Sequence, residues 1–325
     1  MLVNRRRFLA ASAATIPAML GRSAPGASKA DITVGITVDT RPDWNGPENF
    51  MRAIKEAHQV GYHWIETFWQ YVERWQDNPG QLKDILAGLN LRLETVSNGG
   101  KMRTAFADPA QRAAVVEDHM NLVKFIHYFG CDHLKINCGA PVKVSEAERP
   151  AMYHEMAVTF DEIGKRMADM GMKFGVHAHL GSNFQTRRDV DAIMERTNPH
   201  WVYFILDTGH VTMAGMDPVE LTRKYVSRII EYHLKDVAKE NRGGYKGPEL
   251  KPGTYNTNKE NLIFYSLGKG GVDFPGILQI LNQNKWRGWF TVELDRTPAT
   301  AIESATITKR YIESVLNCLS EAALF

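Results

Sequence analysis

Ionisable side chains follow apolar runs in this sequence. The run "FILDTGHV" (204–211) passes from three apolar residues to Asp207 and, three positions on, to His210. The run "GVHAH" ends in His177 and His179, which would lie on one face because residues i and i+2 of a strand point to the same side. Imidazole and carboxylate ligands suit a divalent cation such as Mn²⁺, Co²⁺, Mg²⁺ or Zn²⁺. A cation site at strand ends is therefore one interpretation of these runs.

Other apolar runs end in the same way. Their polar ends are Glu66, Asn98, Lys135, Asn137, His233, Lys235 and Glu293. Taken singly, each has an ordinary explanation, since a strand-end histidine is commonly a hydrogen-bonded structural residue and a glutamate or lysine can be solvated. However, Asp207, His233 and Glu293 end three consecutive runs. Several ionisable groups on inward faces would be costly unless they bind something, which favours a shared site.

The elements that must position these residues alternate along the chain. Eight strand-like runs, each followed by a helical or irregular stretch, predict a parallel sheet. Eight such units without a dividing linker predict a single-domain (β/α)₈ TIM barrel spanning residues 31–325, whose active site lies at the carboxyl ends of the strands. The predicted helices are 49–60, 81–89, 109–129 (with Asp108 as N-cap before Pro109), 151–170, 187–196, 217–227 and 300–318.

A long excursion separates the last two predicted strands. Residues 237–288 are glycine-rich and polar until "FPGILQILNQ" restores a helical pattern. A connection of this length at the catalytic end of a barrel is a candidate lid. The alternative is an insertion without a role.

The first thirty residues resemble an export signal. Arg5, Arg6 and Arg7 precede Phe8 and Leu9, an apolar stretch and a run of small residues, as in twin-arginine signals. We therefore expect residues 1–30 to direct the protein to the periplasm. Without them the chain has 34 basic and 37 acidic residues, a net charge of about −3, which argues against nucleic acid as a partner. No apolar segment is long enough to predict a stable membrane anchor.

Four motifs carry a family resemblance. "LDTGH", "YHLKD", "LGKGGVDFPGIL" and "WFTVELD", in this order, resemble the xylose-isomerase-like TIM-barrel superfamily of sugar isomerases and epimerases, especially its inosose dehydratase branch. The resemblance implies one divalent metal ion held by Asp207, His233 and Glu293. A fourth ligand is commonly a glutamate at the end of the fifth strand, where this chain has His177.

The resemblance also implies a reaction, namely proton abstraction from carbon next to a carbonyl. His177 would be the fourth metal ligand or the base, paired with Glu293. The other expected roles are proton carriage or hydroxyl anchoring by His179 and Glu66, charge compensation by Lys135, and substrate contacts by His210, Lys235, Trp69 and Asn98. Trp69 could stack on a sugar ring or equally pack in the core. Because histidine replaces one of the two glutamates expected of an epimerase, elimination is favoured.

We therefore expect a lyase or dehydratase acting on a keto-sugar, an inosose or a keto-glycoside. Two alternatives stay open: an isomerase or epimerase of an unphosphorylated ketose, and a periplasmic sugar-binding protein without catalysis. A related DNA-repair endonuclease is disfavoured, since it needs a basic groove. The sequence leaves the oligomeric state open, a homo-oligomer included.

Overall fold

Eight parallel strands form the centre of the molecule. The computed structural model describes residues 29–39, 43–247, 264–293 and 299–316. The strands are β1 (Asp31–Thr37), β2 (Trp64–Phe68), β3 (Arg92–Ser97), β4 (His133–Asn137), β5 (Lys173–His177), β6 (Val202–Asp207), β7 (Ile229–Leu234) and β8 (Arg287–Val292). Apolar residues between the strands and the surrounding helices, such as Ile36, Phe174 and Leu206, are fully buried. The predicted single-domain TIM barrel is confirmed.

The sheet is nearly closed into a barrel. Its strand order is β3-β2-β1-β8-β7-β6-β5-β4. The terminal strands β3 and β4 lie side by side, since the Thr95 hydroxyl donates to the His133 carbonyl at 2.9 Å. Asn98 completes the junction, because its side chain bonds both the N–H and the C=O of Asn137. Parallel register therefore brings the carboxyl ends of all eight strands to one rim, the mouth of the barrel.

The helices follow the strands as predicted, with two additions and one correction. They are α1 (Phe50–Val60), α2 (Trp69–Val72), α3 (Pro79–Gly88), α4 (Arg112–Tyr128), α5 (Arg149–Ala168), α6 (Arg187–Arg196), α7 (Thr208–Met213), α8 (Pro218–Tyr225), α9 (Phe274–Gln283) and α10 (Ala301–Tyr311). The short helices α2 and α7 were not predicted. The helix predicted from 109 begins at Arg112, so the predicted cap was wrong. The Asp108 carboxylate instead closes a turn by accepting from the Ala110 N–H at 2.9 Å.

The excursion after β7 is folded in its described part. Asp236–Val237 pairs antiparallel with Phe264–Tyr265. The Asp236 carboxylate accepts the backbone N–H groups of Gly268, Gly270 and Val272 at 2.8–3.0 Å. This one side chain therefore ties the start of the excursion to its return. Residues 248–263 lie outside the described residues.

One sequence prediction falls largely outside the described part. It is the export signal at residues 1–30, since description begins at residue 29. Within the described residues, none of the helices combines the length and apolar character that crossing a bilayer requires.

Candidate active site at the mouth of the barrel

Four side chains from consecutive strands meet at the mouth. His177 ends β5, Asp207 ends β6, His233 lies near the end of β7, and Glu293 follows β8. One ligand atom from each lies within 4.8 Å of the others, and all four residues are buried. The structure thus brings together the four residues predicted as metal ligands. We call them the mouth group.

His177 presents a lone pair to the mouth group. Its Nδ1 lies 2.7 Å from the side-chain oxygen of Asn137, which can only accept, so Nδ1 carries the proton. Burial, with the nearby Lys135 charge, lowers the pKa of His177 well below its usual value. The ring is therefore neutral, and its Nε2 lies 3.5 Å from Oδ2 of Asp207.

The two carboxylate oxygens of Asp207 have different roles, one in capping a helix and one in facing the site. Oδ1 accepts the backbone N–H of His210 at 2.7 Å and so caps α7. Oδ2 is buried and accepts no hydrogen bond from the described residues, as is also true of His177 Nε2. Burial raises the pKa of Asp207 to about 7, although Lys235 opposes the rise. Oδ2 has the Lys235 ammonium 3.3 Å away as an ion-pair partner, but buried polar atoms without hydrogen bonds are costly. A cation between Oδ2 and His177 Nε2 would provide both with a partner.

His233 lies among carboxylates. Its Nδ1 is 2.8 Å from Oε2 of Glu293, and its Nε2 is 2.8 Å from Oε2 of Glu66. Burial and Lys135 disfavour protonation, but Glu66 and Glu293 outweigh them and raise the pKa of His233 well above its usual value. The ring orientation is thereby fixed from both sides.

Two buried lysines balance the carboxylates. Lys135 Nζ lies 2.6 Å from Oε1 of Glu66 and 5.3 Å from the centre of the Phe68 ring. Lys235 Nζ lies 2.8 Å from Oε2 of Glu293 and 3.3 Å from Oδ2 of Asp207. Burial would raise the pKa of Glu293, but Lys235 and His233 hold it well below its usual range. The mouth therefore combines ionised carboxylates with fixed ammonium groups.

A histidine pair lies beside the mouth group. The rings of His179 and His210 are 3.8 Å apart between centres. Burial and Lys235 lower the pKa of His179 to about 4, and its Nδ1 donates to the Leu180 carbonyl at 2.6 Å. Lys235 Nζ lies 2.9 Å from Nε2 of His210, whose buried Nδ1 has no hydrogen-bond partner among the described residues. His179 is thus a neutral base, and His210 offers a donor.

Asn98 and Trp69 lie apart from these contacts. The Asn98 amide is used on the backbone of Asn137, where it joins β3 to β4. The Trp69 ring packs edge-on against Phe125, with ring centres 5.2 Å apart. These contacts indicate structural roles for both side chains.

A second layer of polar residues, three of them ionisable, lies inside the barrel beneath the mouth, and sequence reasoning missed it. It consists of Glu94, His133, Glu231 and Thr291, which we call the inner layer; all four are buried. The signal was present, because Glu231 precedes His233 by two positions and Thr291 precedes Glu293 by two. Strand alternation places such residues on the same inward face.

Asp39 is a further residue missed at the mouth. It follows β1, is buried, and neither of its carboxylate oxygens has a hydrogen-bond partner among the described residues. Burial and the nearby charge of Glu66 raise its pKa well above its usual value. The sequence indicated this position, because the apolar run "ITVGITVD" ends in Asp39.

Comparison with known proteins identifies a family and two similar enzymes. The model of the xylose isomerase-like TIM barrel family matches residues 54–314. An inosose dehydratase of Clostridium botulinum is 27% identical over 292 residues, which cover 86% of this chain and 94% of that protein. One from Yersinia enterocolitica is 29% identical over 296 residues, with the same coverage.

Solved structures share the fold at low sequence identity. A probable 3-DHS dehydratase from Bacillus anthracis superposes with a TM-score of 0.66 at 14% identity, covering 87% of this chain and 100% of that one. A xylose isomerase-like TIM-barrel protein from Mycobacterium smegmatis, in complex with magnesium, has a TM-score of 0.64 at 14% identity, covering 93% and 100%. Since the family model matches most of the chain, this protein belongs to the xylose isomerase-like TIM-barrel family.

Proposed function

We propose that the protein is a divalent-metal-dependent lyase or dehydratase that removes a proton next to the carbonyl of a keto-sugar, inosose or keto-glycoside. The observation that carries the proposal is the mouth group, whose two imidazoles and two carboxylates converge within 4.8 Å at the catalytic end of the barrel. The relatives named inosose dehydratases support this reaction class, and their alignment covers 86% of this chain.

The mouth group is the proposed metal site, with His177 as the fourth ligand. The protonated Nδ1 of His177 leaves Nε2 as the coordinating atom. Within the mouth group, this atom and Asp207 Oδ2 are buried without a hydrogen-bond partner among the described residues. Mixed nitrogen and carboxylate donors suit Mn²⁺, Co²⁺, Mg²⁺ or Zn²⁺. When bound, such an ion supplies Lewis-acid stabilisation of the charge that develops on the substrate's carbonyl oxygen.

The proton-transfer role falls to His179. It is neutral at pH 7 and, of the two adjoining histidines, it is the one that is only half-buried. With Nδ1 donating to Leu180, Nε2 takes the proton from carbon and returns it to the departing β-hydroxyl, which leaves as water. A carbon–hydrogen bond and a carbon–oxygen bond break, and an enol double bond forms.

The charged and polar neighbours hold the substrate. The Lys135 ammonium offsets the negative charge of the enolate, and its pKa is raised because Glu66 and Glu293 outweigh burial. The unpartnered Nδ1 of His210 donates to a substrate hydroxyl, and Lys235 fixes the other nitrogen of that ring. Lys135 contacts one carboxylate oxygen of Glu66 and His233 contacts the other. Glu66 therefore acts on the site through these two residues.

The function is tested by ¹H NMR in D₂O. Metal-loaded protein is incubated with unphosphorylated keto-sugars, inososes and 3-keto-glycosides, with and without chelator, beside Glu293→Gln. We expect deuterium at the carbon next to the carbonyl and loss of the β-substituent, both abolished by chelator and by the substitution. Exchange with inversion and no elimination would instead indicate an epimerase. Metal binding without any exchange would indicate a sugar-binding protein.

We also propose that residues 1–30 are a twin-arginine export signal and that the protein works in the periplasm. The support is the order of Arg5 to Arg7, Phe8, Leu9 and the following apolar and small residues. Cell fractionation tests it: the full chain should reach the periplasm, and a variant with Arg5→Lys, Arg6→Lys and Arg7→Lys should stay in the cytoplasm. Equal periplasmic amounts of both would contradict the signal.

A further inference from the structure

The ring of His233 is held on the side away from Glu293 by two carboxylates from different strands. Its Nε2 lies 2.8 Å from Oε2 of Glu66 on β2 and 3.1 Å from Oε1 of Glu231 on β7. All three residues are fully buried. In this arrangement one N–H faces two negative oxygens, while Nδ1 is turned toward the mouth group.

Glu231 is itself immobilised by the inner layer. Its Oε2 lies 3.0 Å from Nε2 of His133, whose Nδ1 lies 2.7 Å from Asp132. Burial opposes protonation of His133, but Asp132 and Glu231 raise its pKa to about 10. Glu231 is therefore held by His133 through Oε2 and presents Oε1 to His233.

The hydrogen bonds of Thr291 indicate which of the two neighbouring carboxyl groups is protonated. The Thr291 hydroxyl oxygen lies 2.6 Å from Oε1 of Glu231 and 2.5 Å from Oε1 of Glu94. A hydroxyl has one proton to donate, so one of the two carboxyl groups must supply the second. Glu231 already faces His133 and His233, which leaves Glu94 as the protonated partner. Burial together with Glu231 raises the pKa of Glu94, in agreement with this order.

These contacts account for the closeness of the inner-layer residues without a cation. Glu94, His133 and Glu231 lie close enough to share an ion, but the facing atoms of His133 and Glu231 already bond each other. The remaining oxygen of Glu94 is directed at Gly35, where an added Cβ would lie 1.8 Å from it.

We propose that Glu66 and Glu231 are positioning residues that together hold Nε2–H of His233 and so direct its Nδ1 lone pair to the metal ion. The inference rests on the proposed function, because it assigns His233 as a ligand. A carboxylate behind a ligating histidine fixes the tautomer and raises its basicity, and losing it typically costs about 10–100-fold in metal affinity. Neither carboxylate needs to contact metal or substrate.

The test compares Glu66→Gln, Glu231→Gln and the matched control Glu94→Gln. The dissociation constant for Mn²⁺ is measured by calorimetry. We expect roughly 10–100-fold weaker binding for the first two variants. The side-chain amide in Glu94→Gln still offers a donor to Thr291, so this control should bind within about twofold of the wild type. Equal affinity in the Glu66 and Glu231 variants and the wild type would overturn the inference.

A second readout separates this inference from the proposed function. In metal-free protein with ¹⁵N-labelled histidine, Nε2–H of His233 should give a downfield, slowly exchanging signal that shifts or disappears in both positioning variants and persists in Glu94→Gln. If the wild type binds no metal, the proposed function fails, while this signal still decides whether the two carboxylates hold the ring. An unchanged signal in both variants contradicts the inference.

A milder substitution covers the case in which Glu231→Gln does not fold. Thr291→Val removes only the hydroxyl between Glu94 and Glu231, and the side chains have similar shape. We expect the His233 N–H signal to shift and Mn²⁺ binding to weaken, less than for Glu231→Gln. A folded Thr291→Val protein with wild-type signal and affinity would contradict the support that the inner layer gives to Glu231.

Discussion

The mouth group and the inner layer are both rich in histidine and carboxylate side chains but differ in how the lone pairs of these side chains are used. In the mouth group, Nε2 of His177 and Oδ2 of Asp207 are buried without hydrogen-bond partners among the described residues. In the inner layer, Glu231 and His133 bond each other, and Thr291 joins Glu231 to Glu94. Buried ionisable residues alone therefore do not define a site. A site is indicated by buried polar atoms that face one another without hydrogen-bond partners.

The largest expected effect comes from changing one unsatisfied atom of the mouth group. Asp207→Asn keeps Oδ1, which caps α7, and replaces the oxygen that faces His177. We expect metal affinity to fall by more than the roughly 10–100-fold typical of an outer partner, with little change in melting temperature. Asp217→Asn is the matched control, because Asp217 caps α8 away from the mouth. Equal metal binding by Asp207→Asn and the control would remove Asp207 from the site.

The next effect concerns the stability of the inner layer. His133→Leu removes the closest imidazole partner of the buried Glu231 carboxylate, so we expect the free energy of unfolding to fall by about 3–5 kcal/mol. The wild-type contribution should depend on pH. His133 has a folded pKa of about 10 against 6.5 unfolded, so the stabilisation is complete below pH 6.5 and is lost as the pH rises through 10.

Urea titrations between pH 6 and 10 check both parts of this expectation. The wild type should lose stability across that range, and His133→Leu should show a flatter profile. Parallel profiles for the two proteins would mean that His133 is not the charged partner of Glu231.

A smaller effect should follow from filling the space at Gly35. A Cβ there would lie 1.8 Å from Oε2 of Glu94, so Gly35→Ala should cost about 1–3 kcal/mol by overpacking. The control is Gly88→Ala at the end of α3, where an added Cβ meets nothing within 4 Å. Chemical denaturation of both variants measures the difference. A Gly35→Ala protein as stable as the control would contradict the close packing of Glu94 against β1.

The smallest expected effect is local to the excursion after β7. Asp236→Asn replaces a carboxylate oxygen with an NH₂ group, which cannot accept from both Gly268 and Gly270. We expect a loss of about 1–2 kcal/mol and faster proteolysis within residues 264–273, with unaltered metal affinity. Limited proteolysis followed by mass spectrometry locates the cuts. Unchanged cleavage there would show that Asp236 does not hold the excursion.

Much of this arrangement could be predicted from the sequence, and the failures have physical causes. The alternation of apolar and helical runs predicted the barrel, because each strand must bury both faces. The strand ends predicted the mouth group, because parallel strands bring their carboxyl ends to one rim. Glu231 and Glu94 were missed because they lie within the strands, before the polar strand ends. Alternation from His233 already placed Glu231 on the inward face.

The hydrogen-bond assignments needed the structure. No pattern in the sequence indicates that Asn137 sets the tautomer of His177, because that contact joins neighbouring strands through side-chain geometry. Trp69 looked suited to a sugar ring, yet its position at the start of α2 packs it against Phe125 of α4. The end of a strand predicts that the next residue lies at the rim of the barrel. It does not predict the direction in which the side chain of that residue points.

The central claim is that a divalent ion binds in the mouth group and not in the inner layer, and anomalous diffraction at the manganese edge tests it most directly. Crystals of the protein grown with Mn²⁺ should show one anomalous peak per chain, enclosed by His177, Asp207, His233 and Glu293. A peak among Glu94, His133 and Glu231, or no peak at a saturating Mn²⁺ concentration, would contradict the account.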